Sequence, residues 1–269
     1  MSKFTQTNKI EILEALSCLD VFSKGANKPL LVRCINSETK KRQECVLKLM
    51  GASRMGPDAA ARELLATFIA WEWEISVVEP VIIEVTKDFL QNFKNKPEYL
   101  TVSKSLGRNI GSIYMQNLTE LPITQKLNDS EIEQGLLIFV FDIFIGNPDR
   151  TFDKPNSFSD GKNLIIFDHE LAFSYILDIQ QNNEPYNLRE NDLIWINKLY
   201  LKNKLKNHIL PRDKIIDCIA KIDNVFWDKS FALIPDSWHT WQLEAIRKYV
   251  DQIVENRIKF VDNIKYLLG

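Results

Sequence analysis

The sequence has little of what would mark a disulfide scaffold, a zinc site or a nucleic-acid surface. Four cysteines occur in 269 residues, at Cys18, Cys34, Cys45 and Cys218. None forms a CxxC pair and none has a close histidine partner, so disulfide, zinc and redox readings all lack their spacing. Reduced, buried thiols in a cytosolic protein are the expectation. An excess of one charge is also missing. The formal net charge is −2 and the pI is near 6.0, which is not the basic field of a protein built to hold duplex nucleic acid. The longest apolar run, residues 136–145, is interrupted by Asp142 and is too short to span a bilayer. The N-terminal MSKFTQTNKIEILEALS lacks the continuous apolar segment of a secretory signal. No internal repeat, low-complexity segment or long Pro/Gly/Ser linker divides the chain. A cytoplasmic protein with no membrane association and no direct nucleic-acid binding is therefore expected.

With 45% hydrophobic residues, the chain can bury a sizeable core, as one unit or as two lobes with a cleft. Apolar residues at Ile12, Leu13, Leu16 and Leu19 predict a short helix over 10–22. The loop SKGANKP at 23–29 follows, and a glycine there lets backbone N–H groups approach a phosphate. Gly25, Ala26 and Asn27 are the candidates for that role, with a plain turn as the alternative. Segments 30–35 and 44–50 predict a hairpin of two strands. Period-two alternation puts Lys48 and Val46 on one face and Cys45, Leu47 and Leu49 on the other. Gly56-Pro57-Asp58 then opens a helix, with proline at its first position and an acid in its first turn. Leu64, Leu65, Phe68, Ile69 and Trp71 form its stripe, and Glu63 lies beside it. An ion pair between Lys48 and Glu63 would aim the lysine at phosphates, whereas solvated side chains are the plainer reading of each.

Residues 77–85 predict a third strand with Pro80 at an edge or bulge. Residues 88–98 predict a loop, and 99–104, YLTVSK, a fourth strand. LGRNIGS at 106–112 reads as a glycine-bracketed crossover into helical sequence. The composition turns from strand-rich to helix-rich there, so a β-rich part is expected over 1–105 and a helical part over 106–269, with a cleft beneath the junction. Ser130-x-x-Glu133 suggests a capping box before the apolar run. NLIIF at 163–167 predicts a short buried strand that ends on Asp168-His169. Segments 188–210, 211–222 and 238–268 carry helical periodicity, with Lys202 and Lys206 on a solvated face.

Residues 139–173 break their apolar pattern with acids. Asp142, Asp149, Asp153 and Asp168 stand beside or inside apolar runs, where a carboxylate is costly unless a cation compensates it. Magnesium carrying a nucleotide meets that need. It is a hard cation that takes carboxylate and amide oxygens, which suits Asp168 and Asn156. A lysine such as Lys48 balances phosphate charge, and a carboxylate such as Asp149 orients and accepts a proton from an attacking hydroxyl. A small-residue loop, a strand lysine, a helix glutamate, a loop aspartate followed by an asparagine, and an aspartate closing a buried strand together make the part list for phosphoryl transfer.

Through GNPDRT at 146–151, NSF at 156–158 and IFDHE at 166–170, with VLKLM around Lys48, RELLATFIA around Glu63 and LGRNIGS from Leu106, the chain resembles the HipA-like kinases. These are bacterial relatives of the protein kinase and phosphoinositide kinase folds. The resemblance implies an α+β, two-lobed kinase fold and an ATP- and magnesium-dependent serine/threonine protein kinase. It makes Asp149 the catalytic aspartate, Asn156 and Asp168 the metal ligands, and Lys48 the contact to the α- and β-phosphates, paired with Glu63. It places the adenine hinge on the strand expected around Thr101, Val102 and Ser103. It implies a protein substrate and leaves room for an antitoxin-like or regulatory protein partner. A lipid or small-molecule acceptor, or a silent nucleotide-binding module, is the alternative. In the common kinase loop the asparagine lies five residues after the aspartate, where this chain has Lys154; Asn156 lies seven after it. The loop is therefore expected to bulge by two residues, with Asp153 as a substitute ligand. Asn147 stands where the common loop has histidine, and His-Glu replaces Phe-Gly after Asp168. The additional N-terminal subdomain of the larger toxin members has no room in these residues. Asp142 is expected to be structural, capping or pairing with Arg150, and Arg150 either to steady a phosphate or to anchor the loop.

Overall fold

The computed structural model describes residues 2–23, 27–116, 118–122, 124–177 and 182–269. One helical turn, α1 (Lys3–Gln6), precedes strands β1 (Ile12–Val21), β2 (Leu30–Ile35) and β3 (Arg42–Lys48). Helix α2 (Pro57–Glu72), strand β4 (Pro80–Val85), the short helices α3 (Lys87–Leu90) and α4 (Tyr99–Ser103), and strand β5 (Gly107–Ile113) follow. The five strands close into a barrel in the order β1-β2-β3-β5-β4, sealed by the parallel pairing of Ile12 to Glu14 with Ile82 to Glu84. Leu13, Ala15, Leu30, Val32, Cys34, Cys45, Leu47, Val81 and Ile83 fill its interior. All four cysteines are free thiols.

The remaining chain is mostly helical. Strand β6 (Thr119–Glu120) leads to α5 (Asp129–Phe144), and β7 (Ser157–Ser159) and β8 (Leu164–Ile166) complete a small antiparallel sheet in the order β6-β7-β8. Helices α6 (Glu190–Ile196), α7 (Tyr200–Lys204), α8 (Arg212–Ala220), α9 (Asn224–Leu233), α10 (Trp241–Glu255) and α11 (Arg257–Ile264) follow. A second, larger core runs through this part and takes in α2 and α5, both buried over most of their surface. Glu63 and Asp142 are buried acids on those helices. Among the described residues no helix is long and apolar enough to cross a membrane.

Four expectations about elements are corrected. Residues 12–21 form a strand: Leu13 and Ala15 face the barrel core while Ile12 and Leu19 are exposed, so the apolar spacing that reads as helical mixes the two faces, and the register is irregular between Ala15 and Ser17 and between Cys18 and Asp20. Residues 99–103 form a helix whose Val102 plugs the barrel core; packing there overrides the strand propensity of YLTVS. The segment 107–113 is strand β5, paired with both β3 and β4, so the strand-rich part extends past 105 to Ile113. Its glycine, which reads as loop, meets a packing need: a Cβ on Gly111 would lie 2.4 Å from Ile83 Cδ1 and 2.7 Å from the Val46 carbonyl oxygen. Helix α5 is capped by Asn128 with Glu131 rather than by Ser130 with Glu133, with both hydrogen bonds of the box present.

Candidate active site

Lys48 is the last residue of β3 and points away from the barrel core toward α2 and the end of β8. Its ammonium lies 2.9 Å from Glu63 Oε2, 2.7 Å from Asp168 Oδ1 and 3.6 Å from Glu170 Oε2. Three carboxylates thus surround one cation. Burial would lower the lysine pKa, but Asp168, Glu63 and Glu170 outweigh it and hold Lys48 above the usual ammonium range. Burial pushes the Glu63 and Glu170 carboxyls up, against the pull of Lys48. Burial also acts to raise Asp168, but Lys48, with Lys154 and Arg150 behind it, holds that carboxyl below its ordinary value. Glu63 further accepts the His169 backbone N–H at 2.9 Å, which ties α2 to the segment that carries Asp168.

Asn27 closes this cluster from the barrel side. Its Nδ2 donates to both Glu170 oxygens, at 2.9 and 3.0 Å, and its Oδ1 accepts the Arg54 backbone N–H at 3.2 Å. The loop between β1 and β2 is thereby fastened to the residue two past Asp168. Gly25 and Ala26, the other candidates on that loop, lie outside the described residues.

Asp149 sits on the loop after α5. Gly146 ends that helix in the left-handed region (φ +56°), where a Cβ would lie 2.5 Å from the Tyr175 ring, so position 146 needs glycine. Asn147 is fully buried; it donates to Asp142 Oδ1 at 3.1 Å and accepts the Asp149 N–H at 3.2 Å. A closed turn, with Thr151 N–H to Lys154 O at 2.9 Å and Lys154 N–H to Thr151 O at 3.2 Å, absorbs the extra length of the loop. Asn156 is buried and its Nδ2 lies 3.5 Å from Asp149 Oδ2, whereas Asp153 is exposed. The Phe167 N–H donates to the Asn156 carbonyl at 3.0 Å, so Asn156 abuts the residue before Asp168. Asn156 and Asp168 both have positive φ, at 44° and 61°, a conformation that asparagine and aspartate tolerate better than most residues.

Arg150 straps these pieces together. It is almost fully buried, and its Nε donates to Asp142 Oδ2 at 2.9 Å. Nη1 donates to the carbonyl oxygens of Asn156 and Phe167, and Nη2 meets His169 Nε2 at 3.1 Å. Burial, with the Arg150 and Lys48 charges added, drives His169 far below the usual imidazole range. The ring is therefore neutral and its Nε2 accepts. Of the two roles expected for Arg150, this is loop anchoring, and Asp142 is its partner.

A comparison of the sequence with known families matches residues 19–265 to the HipA-like kinases. The chain belongs to the HipA-like kinase family. Among solved structures it is similar to the Helicobacter pylori proinflammatory kinase CtkA, with 12% sequence identity and a TM-score of 0.48 over 92% of this chain and 95% of that one. A comparison with curated proteins gives no match.

Within this HipA-like kinase, the structure brings together Lys48, Glu63, Asn27 and Asp168, and separately Asp149 with Asn156. Thr101, Val102 and Ser103 do not join them. Their backbone is spent in the turn of α4, with Val102 N–H on Glu98 O at 2.9 Å and Thr101 O accepting Ser105 Oγ at 2.7 Å. A strand edge for adenine is thus missing at that place. The chain instead passes from the barrel to the small sheet after β5. Sequence reasoning missed Glu170; an acid two residues past Asp168 was the available signal.

Asp168 and Asn156 offer the hard oxygen donors that magnesium takes, and they are neighbours through the Phe167 to Asn156 hydrogen bond. Among the described residues no group of three or more His, Cys, Asp or Glu is arranged to hold a metal ion.

Proposed function

We propose that this HipA-like kinase is an ATP- and magnesium-dependent protein kinase that moves the γ-phosphoryl group to a serine or threonine hydroxyl. The observation that carries the reading is Lys48 held between Glu63 and Asp168, with the Asp149 loop strapped beside them through Arg150. In this reading the barrel and the helical part are two lobes with the nucleotide between them. Lys48 contacts the α- and β-phosphates and Glu63 aims it. Asp168 and Asn156 hold magnesium, which supplies charge neutralisation at the phosphates. Asp149 orients the acceptor hydroxyl and takes its proton.

Incubation of the purified protein with labelled ATP and magnesium should label the chain itself or an added lysate protein. Asp149→Asn should abolish that labelling. A wild type that binds ATP yet labels nothing above background removes the transfer reading and leaves a nucleotide-binding module. The thermal shift produced by ADP should require magnesium, and Asp168→Ala should remove the requirement; an unchanged magnesium effect takes Asp168 out of the metal site.

A further inference from the structure

Position 154 carries a cation where the kinase resemblance would place a metal-binding amide. An ammonium has three donors and no lone pair, so Lys154 cannot ligate a metal. The turn over Thr151 and Lys154 folds this side chain back, so that Nζ lies 3.3 Å from Asp149 Oδ1. The other Asp149 oxygen faces Asn156 Nδ2 at 3.5 Å. One ammonium thus rests on the acceptor-side carboxylate, whose other oxygen faces the metal-side amide of Asn156. During transfer the phosphoryl group passes between those two positions. The Lys154 side chain is 51% exposed, and an ion pair that open adds little to stability. It is also free to move.

Resting on the kinase reading above, we infer that Lys154 is a catalytic residue whose ammonium neutralises the transferring phosphoryl group in place of a second metal ion, so that a single magnesium ion serves the site. The acceptor oxygen bonds to the γ-phosphorus as the bond from that phosphorus to the β–γ bridging oxygen breaks. ADP leaves with that electron pair, and the hydroxyl proton passes to Asp149. Lys154 swings from Asp149 to the equatorial phosphoryl oxygens.

The test uses the intact chain. Manganese bound with a non-hydrolysable ATP analogue is counted by electron paramagnetic resonance, and one ion per bound analogue is expected. Two ions per analogue overturn the inference. Lys154→Met should lower kcat by about 10²–10³-fold, the range for loss of one preorganised charge at a developing anion, with analogue affinity and KM for ATP unchanged. Lys154→Arg should recover most of that loss. A Met variant that turns over at the wild-type rate overturns the inference while leaving the kinase reading intact. A wild type that binds no analogue ends both. The metal count stands without turnover, so a poorly folding variant does not shield the idea.

Discussion

Arg150 is a buried cation and Lys48 a partly buried one of the same site, and their surroundings are opposite. Arg150 has one carboxylate partner, Asp142, and its remaining donors meet the Asn156 and Phe167 carbonyls and a neutral His169. Charge is balanced and the donors are spent within the protein. Lys48 has three carboxylates, and Glu170 among them is shared with Asn27 of the loop between β1 and β2. That side carries surplus negative charge at a place where burial makes it costly. The balanced centre holds backbone segments in position; the unbalanced one is arranged to receive cationic charge from outside the chain. In the reading proposed above, that charge arrives with the metal–nucleotide complex.

The largest effect should come from breaking the balanced centre. Arg150→Ala leaves Asp142 buried without its partner and should cost about 3–5 kcal/mol of folding stability, read as a lower urea midpoint. A fall below about 1 kcal/mol would mean that the strap is dispensable. Lys48→Met acts on the other centre. It should lower turnover by about 10²–10³-fold and leave the far side of the Arg150 network folded, as judged by near-ultraviolet circular dichroism.

A finer separation comes from Glu170→Gln. It removes one of the three negative charges facing Lys48 and keeps an amide beside Asn27. Binding of ADP with magnesium should tighten by up to about tenfold, or about 1.4 kcal/mol, in titration calorimetry. Weaker binding would show that Glu170 assists the phosphates instead of competing with them. The smallest effect concerns pH. A carboxyl whose folded pKa is raised makes the folded state bind more protons than the unfolded chain, so its contribution to stability falls as pH rises above its ordinary value. Glu170 is raised above 4.5, chiefly by burial. Glu170 therefore adds stability as the nucleotide-free protein is acidified from neutrality toward that value, while the buried neutral His169 subtracts it over the same range, so the Tm of wild type relative to Glu170→Gln should rise as pH falls. Parallel curves would separate Glu170 from the effect.

Much of the site was legible before the fold. Asp168 at the end of NLIIF violates an apolar pattern, where a buried charge needs a partner, whereas Lys48 and Glu63, each plainly read as solvated alone, become candidates through their place in the wider pattern. The misreadings have local causes. Exposed apolar residues at Ile12 and Leu19 disguise the period of β1, and Gly111 reads as a loop because its need for close packing comes from Ile83 and Val46, distant in sequence. The hinge was placed on 101–103 because YLTVS has strand propensity, while the barrel used Val102 as a plug. Glu170 was passed over since its partners, Asn27 and Lys48, are more than a hundred residues away.

The order of residues shows that acids, amides and a lysine suited to the proposed chemistry stand in or beside apolar segments, because both facts are local. It also carried the family pattern over residues 19–265. Which carboxylates share Lys48, that Arg150 holds backbone carbonyls, and that Lys154 rests on Asp149 are choices made in the folded chain. Those choices depend on barrel closure and on a turn that folds the chain back on itself, and neither leaves a periodic trace in the residues that make it.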